Sequence, residues 1–231
     1  VGQASGSAAW EPVRRGDDSK STWADRVSSQ RWRDRGRFQS VAPASRRPVA
    51  VSRVDDLLAN YVKHIELPWS TNLAPAQRVL MAVYAPEDER RLRLRLPAFE
   101  IATRNAGHQW GLVDISDLFE RWMAHHEYRD SYFASPELIG PALTGFVDEL
   151  VSEVRSQLSD ITDPGTVVGL VGAGALFGLG EVARLSALVE RVDDTIAGRL
   201  LVFFPGEHEG NNYRLLGARD GWNYLATRIM A

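Results

Sequence analysis

The chain has 231 residues, 44% of them hydrophobic, a formal net charge of −3 at pH 7 and no cysteine. This length is enough for one α/β core, and the missing cysteines exclude disulfides, thiolate metal sites and thiol nucleophiles. The longest apolar stretch, residues 166–179, is shorter than the ~20 residues that a membrane-spanning helix requires, and no secretory signal is recognisable. We therefore expect a soluble, cytoplasmic protein without a membrane span.

Residues 1–50 differ from the rest of the chain, with 10 Lys/Arg against 5 Asp/Glu, whereas residues 51–231 carry 17 against 25. Because the first part shows no apolar period that could offset its ordering entropy, we predict a disordered basic tail. Two interpretations of this tail stay open. The run Arg31–Phe38 mixes cations with aromatic rings, as proteins that bind single-stranded nucleic acid do; alternatively, and we favour this, the tail is upstream translation and the native start is Val51.

The domain at residues 51–231 alternates between two kinds of apolar pattern. Apolar residues at intervals of three and four predict helices, and compact apolar runs of about six residues predict buried strands. In chain order the predicted elements are a helix capped by Ser52 and ending near Pro68, a strand at 77–84, a helix at 88–105, a strand at 110–115, a helix capped by Ser116, a long helix with apolar residues from Leu143 to Leu158, a strand at 166–171, a helix at about 181–192 and a strand at 199–204.

Strands that alternate with helices in this way favour a three-layer α/β/α fold with a mainly parallel sheet of at least four strands and right-handed crossovers. Such a fold is Rossmann-like or P-loop-like, in this chain without a Walker A motif. The ligands and partners of such sheets meet the carboxyl ends of the strands.

Two loops of the domain invite a nucleotide-binding interpretation that their residues do not support. In VVGLVGAGALFGLG, Gly172 and Gly174 would need Gly or Ala at position 177, where the chain has Phe. We predict close packing of helix and sheet there instead. The turn after the first strand reads Ala-Pro-Glu-Asp at 85–88, and its carboxylates would repel phosphates, so ATP hydrolysis is disfavoured and no cofactor is expected.

The histidines and carboxylates do not form a metal-binding motif. His125 and His126 are adjacent, so they face different sides of a helix and are predicted to be surface residues. Residues 207–209, Glu-His-Glu, follow a strand in loop-like alternation without a partnering His motif. We therefore expect neither a metal site nor catalytic residues.

Two polar and aromatic clusters are candidates for partner binding. The last predicted strand is expected to stop at Pro205-Gly206 and to bring polar side chains to the carboxyl edge, and residues 127–133 are expected to border the same edge. The alternative for the first cluster is a turn-rich C-terminus with Trp222 and Tyr224 packed in the core. Because Tyr and Arg are favoured interface anchors, we predict partner contacts at Glu207, Asn211, Asn212, Tyr213 and Arg214, and at Tyr128, Arg129 and Tyr132.

Five stretches of the domain carry a likeness to a known family: SRVDDLLANYVKHIELPW, QRVLMAVYAPEDERRLR, EYRDSYF, RLLVFFPGEHEGNNYRLL and ARDGWNYLA. From Val51 to Ile229 the chain resembles the BrxB family of bacteriophage exclusion (BREX) proteins. The resemblance implies a small cytoplasmic component of a phage-restriction cluster that also encodes an ATPase, an adenine methyltransferase and a PglZ-type protein with an alkaline-phosphatase fold. It implies action through that assembly, with the PglZ-type protein as the direct partner, and it supplies no catalytic motif.

Three functional hypotheses follow. The first is a non-catalytic adaptor that binds other BREX proteins through the two clusters. The second is a degenerate nucleotide-binding protein, or an unusual nucleotide-dependent enzyme, that uses the same strand ends. The third is a nucleic-acid-binding accessory protein acting through the basic tail, because residues 51–231 carry 17 positive against 25 negative side chains, a net charge of −8.

Overall fold

The computed structural model describes residues 53–70, 72–209, 212–217, 222–223 and 226–230. The predicted tail and Ser52 lie outside these ranges, as do Asn211 and Tyr224. Within the described ranges, no helix combines the length and the apolar character that crossing a membrane requires.

The helices of the described part form where apolar residues recur at helical spacing. The first helix, for example, buries Val54, Leu57, Tyr61 and Ile65 along one face, as an amphipathic helix does. The helices are α1 (Arg53–Ile65), α2 (Glu89–Asn105), α3 (Leu118–His125), α4 (Arg129–Ala134), α5 (Leu143–Ser159) and α6 (Leu185–Val192), with a 3-10 helix at Pro136–Ala142 before α5.

The strands form one mixed sheet with a parallel centre. They are β1 (Val79–Tyr84), β2 (Gln109–Asp114), β3 (Thr166–Val171), β4 (Arg199–Glu209), β5 (Asn212–Leu215), β6 (Trp222–Asn223) and β7 (Thr227–Met230). Five of them pair in parallel in the order β2-β3-β4-β1-β7, while β5 pairs antiparallel with β4 and β6 with β5. This strand order differs from the 3-2-1-4-5-6 order of dinucleotide-binding Rossmann domains. The fold therefore shares the three-layer arrangement of those domains but not their strand order.

Alternate residues of the parallel strands face two separate apolar cores. In β1, Val79, Met81 and Val83 face the core formed with α3, α5 and α6, whereas Leu80 and Tyr84 face the core formed with α1 and α2. Because side chains alternate along a strand, helices on both faces require a strand that is apolar throughout. The predicted three-layer α/β/α fold with a mainly parallel sheet is confirmed.

Several predicted boundaries differ from the observed ones. Ser116 does not cap α3: Asp117 occupies the N-cap position, without a side-chain hydrogen bond to the helix, and the Ser116 hydroxyl donates to Asp114 at 2.5 Å. The predicted helix at 181–192 begins with a 3-10 turn and becomes α-helical only at Leu185. The strand predicted to end at Phe204 continues through Glu209, because β5 supplies backbone partners beyond the parallel part of the sheet.

The Gly-rich turn after β3 packs tightly against the turn after β2, whereas the sequence predicts close packing of helix and sheet there. Gly172 has φ +90°, and a Cβ atom there would lie 2.5 Å from the Ser116 Oγ and 2.6 Å from the Ser116 nitrogen. Only glycine combines this left-handed conformation with so close an approach. The turns after β2 and β3 are therefore held against each other at the carboxyl edge of the sheet.

Candidate protein-interaction surface

The chain that leaves β2 forms two short helices at an angle to each other. Helix α3 ends at His125. The next residue, His126, has an extended backbone with φ −73° and ψ 133°, and α4 begins at Arg129. The turn is stabilised by Tyr128, whose backbone N–H donates to the His126 Nδ1 at 3.2 Å.

Aromatic rings gather around this turn. The His126 ring lies 4.7 Å from Trp122, 5.1 Å from Tyr132 and 6.1 Å from Tyr128, measured between centroids. Trp122 also packs at 5.5 Å on Phe146 of α5, which joins the cluster to the core. His126 was predicted to lie on the surface, but it is half-buried among these rings.

Beyond the turn, large apolar side chains are presented to solvent. The exposed fractions are 55% for Tyr128, 69% for Phe133 and 55% for Leu138. A single exposed apolar residue is normal, whereas several large ones on segments that adjoin along the chain, as at residues 128–138, favour an interaction site. We call this group the α3–α4 surface; it consists of Trp122, His126, Tyr128, Arg129, Tyr132, Phe133 and Leu138.

The predicted contact residue Arg129 is anchored beside these rings. Its Nε lies 3.0 Å from an oxygen of Asp130, and its Nη1 donates to the Ala124 carbonyl at 3.3 Å. The guanidinium is thereby held next to an apolar depression of about 520 Å³, lined among others by Met123 and Phe133. Tyr128, Arg129 and Tyr132, predicted from sequence as one cluster, are brought together by the structure.

No protein-family model, no curated protein and no solved structure matches this chain. Functional assignment therefore depends on the geometry of the chain itself and on the resemblance carried by the stretches quoted above.

The second predicted cluster belongs to a β-hairpin. Strand β4 passes through Pro205-Gly206 and pairs with β5, with Glu207 opposite Arg214 and Glu209 opposite Asn212. The prediction that the strand stops at Pro205-Gly206 is therefore wrong. The hairpin is formed by the end of β4 and by β5, whereas the α3–α4 surface lies on the helices that follow β2. Strand β3 lies between β2 and β4 in the sheet. The clusters are two surfaces rather than one rim.

Tyr213, predicted as a partner contact, is a core residue of the hairpin. Only 1% of its surface is exposed, and its ring packs 5.7 Å from Phe204 and 4.7 Å from His208. Burial raises the pKa of its hydroxyl, an effect that the charge of Arg228 partly offsets. The ring therefore stabilises the fold and offers no surface to a partner.

The other predicted contact residues of the hairpin that the structure describes are polar or charged and partly exposed. Arg214 pairs with Glu209 at 3.2 Å, and Glu207 and Asn212 are exposed and half-buried respectively. Glu207, His208 and Glu209 lie on a strand, which places the carboxylates on one face and the imidazole on the other. Among the described residues, no group of three or more histidine or carboxylate side chains is placed to hold a metal ion.

A polar network at the carboxyl edge was not predicted from sequence. The Arg93 guanidinium donates to Glu89 at 2.7 Å, to Asp114 at 3.0 Å and to Ser116 at 2.5 Å, and the hydroxyl of Tyr84 donates to Glu89. Burial, together with the Glu89 carboxylate, raises the pKa of Tyr84. The polar groups of this network thus bind one another across the space where a doubly wound sheet usually receives its ligand.

The turn after β1 is closed by ion pairs. The Arg53 Nη2 lies 2.9 Å from a carboxylate oxygen of Glu87, and its Nε lies 3.1 Å from Asp88. A backbone hydrogen bond and the Arg53 contact hold the pKa of Glu87 below its usual value. An ionised carboxylate therefore occupies the position where a phosphate-binding loop would present backbone N–H groups and a lysine.

Proposed function

We propose that this chain is a non-catalytic adaptor that binds other protein components of a BREX anti-phage defence system, most directly a PglZ-type protein. The observation that carries the proposal is the exposure of three large apolar side chains, Tyr128, Phe133 and Leu138, within residues 128–138, each of them more than half exposed. Aromatic side chains beside an anchored arginine are the residues that dominate binding energy at protein interfaces.

The partner class comes from the resemblance to the BrxB family. Two of the stretches that carry it, EYRDSYF and the β4–β5 segment RLLVFFPGEHEGNNYRLL, contain the two candidate clusters. We therefore assign the contact with the other BREX proteins to the surface formed by residues 127–133.

Two further observations favour binding over chemistry. The turn after β1 carries Glu87 and Asp88 paired with Arg53, which disfavours a bound nucleotide triphosphate by like-charge repulsion. The net charge of −8 on residues 51–231, from 17 positive and 25 negative side chains, disfavours direct binding of nucleic acid by this domain.

Co-expression of the full chain with the PglZ-type protein tests the proposal. We expect the two proteins to elute together in size-exclusion chromatography at micromolar concentration in moderate salt. The double variant Tyr128→Ala/Phe133→Ala should weaken the complex by about 30-fold, the effect of losing about 2 kcal/mol at a hot spot.

The matched control is Leu94→Ala. Leu94 is 75% exposed and lies on α2, which covers the opposite face of the sheet, so its removal should leave the affinity unchanged. Separate elution of the two wild-type proteins would refute the adaptor. Co-elution that neither variant affects would refute the assignment of the α3–α4 surface.

A further inference from the structure

A groove runs between α3 and α5 on the flank of α3 that faces away from Phe133. Two adjoining depressions form it, of about 430 Å³ and about 80 Å³, and both are lined by Arg121, Trp122 and Glu149. The floor is apolar and is formed by Leu118, Trp122, Phe146 and Leu150. We call this feature the α3–α5 groove.

The walls of the groove are predominantly acidic. Glu149 and Glu153 line it from α5, and Glu127 closes the end near the aromatic turn. The lining cation, Arg121, is already paired with Asp117 at 3.3 Å. Three carboxylates therefore face the groove against one arginine whose charge is offset by another residue.

Two of these carboxylates are neighbours on one helix face. Glu149 and Glu153 are four residues apart in α5, a spacing at which like charges repel each other. A cation placed between them and over the adjacent ring would relieve this repulsion. Trp122 is half-buried in the groove floor, and its indole ring is the aromatic surface that cations prefer.

We propose that the α3–α5 groove binds a basic segment of a partner protein, with an arginine or lysine side chain lying over Trp122 and its charge facing Glu149. The aliphatic stem of such a side chain matches the apolar floor, while its charged end matches the acidic wall. Glu153 already accepts a hydrogen bond from the Gln157 side chain at 2.7 Å, which leaves its negative charge in place. An acidic segment would be repelled by these carboxylates, and a purely apolar one would bring no opposite charge to them. The inference rests on the adaptor function and specifies the chemistry of what is bound.

A labelled twelve-residue peptide with four repeats of Arg-Leu-Ala is a direct probe. Its binding to the full chain is measured by fluorescence anisotropy at low and high salt, beside a second peptide in which Glu replaces every Arg. We expect the basic peptide to bind and the acidic one not to bind. The variant Glu149→Lys/Glu153→Lys should weaken binding of the basic peptide at least tenfold and allow the acidic peptide to bind.

The matched control is Asp56→Lys/Glu190→Lys, which reverses the same number of charges at exposed positions on α1 and α6 and should lower the affinity less than twofold. Equal losses of affinity for the basic peptide in the two variants would mean that only overall charge matters, and they would refute the α3–α5 groove as the binding site. Equal binding of both peptides to the wild type, or binding of neither, would refute the proposal that the groove binds a basic segment. Because the assay contains no PglZ-type protein, its failure is distinguishable from failed co-elution, which concerns the adaptor alone.

Discussion

Arg93 of α2 reaches Asp114 at the carboxyl end of β2, with 3.0 Å between its Nη1 and the Oδ2 of the carboxylate. The contact fastens the helix after the first strand to the end of the second. In nucleotide-binding sheets a cation at this edge meets phosphate groups. Here its partners are the carboxylates of Glu89 and Asp114 and the hydroxyl of Ser116, which is why the network is expected to support the fold.

The first prediction concerns the pH dependence of this contact. Partial burial alone would raise the pKa of Asp114, but hydrogen bonds from Ser116 and Arg93 outweigh it and hold the pKa below its usual value. Because the folded pKa is the lower one, the contribution of Asp114 is present above about pH 4 and is lost as the pH falls through the folded value.

Asp114→Asn should therefore lower the free energy of unfolding at pH 7 by roughly 0.2–1 kcal/mol, the range for a partly exposed pair. The difference from the wild type should shrink toward pH 3. Urea unfolding across this pH range measures it, and a difference that stays constant with pH would contradict the account.

The second prediction concerns His64. Burial, and then the positive charge of Arg199, lower the pKa of its imidazole. With the folded pKa below the unfolded value of about 6.5, the neutral ring stabilises the fold above that pH, and this stability is lost as the pH falls through the folded pKa. The His64→Gln variant should lose less stability than the wild type between pH 7 and pH 5. Parallel thermal unfolding profiles for the two proteins would argue against this.

The third prediction separates packing from partner binding in the hairpin. Tyr213→Ala should lower the free energy of unfolding by about 3–5 kcal/mol, as for other large buried aromatic side chains. Asn212→Ala, one position away and half-buried, should cost less than about 1 kcal/mol. Denaturant unfolding compares them directly. A Tyr213→Ala protein of wild-type stability would show that the ring is not part of the core.

The fourth prediction uses two glycines with opposite surroundings. A Cβ atom at Gly206 would lie 2.1 Å from the Arg214 carbonyl oxygen, whereas one at Gly145 on α5 would meet nothing within 4 Å. Gly206→Ala should destabilise the hairpin by at least about 1–3 kcal/mol, and Gly145→Ala should stabilise the protein by about 0.5–1 kcal/mol. Melting temperatures that shift in the same direction would contradict these surroundings.

The fifth prediction addresses the nucleotide hypothesis. A ligand present at 100 times its dissociation constant stabilises the folded state by about 2.7 kcal/mol. Because Glu87 and Asp88 occupy the turn after β1 as ion pairs with Arg53, we expect no shift in melting temperature with ATP, GTP or their diphosphates and Mg²⁺. A reproducible shift with any of them would favour the degenerate nucleotide-binding protein.

The elements that could be predicted from sequence are those with local signals. The strand Thr166–Val171 was predicted with its observed bounds, because a short apolar run between Gly165 and Gly172 admits one interpretation. The apolar stripe predicted from Leu143 to Leu158 is confirmed, with seven of its residues buried in α5. In both cases the apolar pattern and the residues that end it are close together in the sequence, so a short stretch is enough to recognise the element.

The hairpin could not be predicted, because its strands are defined by pairing. Pro205-Gly206 is typical of a strand end, and the extension to Glu209 becomes visible only when β5 lies beside it. That register also determines that Tyr213 faces the core while its neighbours do not. The strand Thr227–Met230 was missed because its parallel neighbour, β1, is distant in sequence.

The candidate site was predictable in its residues but not in its shape. The stretch 127–133 combines Tyr, Arg and Phe, and this composition alone indicated an interface. The α3–α5 groove required knowledge that Trp122 packs on Phe146. The signal that could have indicated it was the pair Glu149 and Glu153, acidic residues at helical spacing beside the apolar stripe of α5.

Hydrogen exchange measured by mass spectrometry on the full chain, alone and with the PglZ-type protein, tests the central claim most directly. We predict slower exchange on mixing in residues 118–142, which include α3, α4 and the 3-10 helix before α5. Residues 53–106, on the opposite face, should exchange at an unchanged rate. Exchange that is unaltered throughout the chain, or slowed only in residues 53–106, would contradict the account.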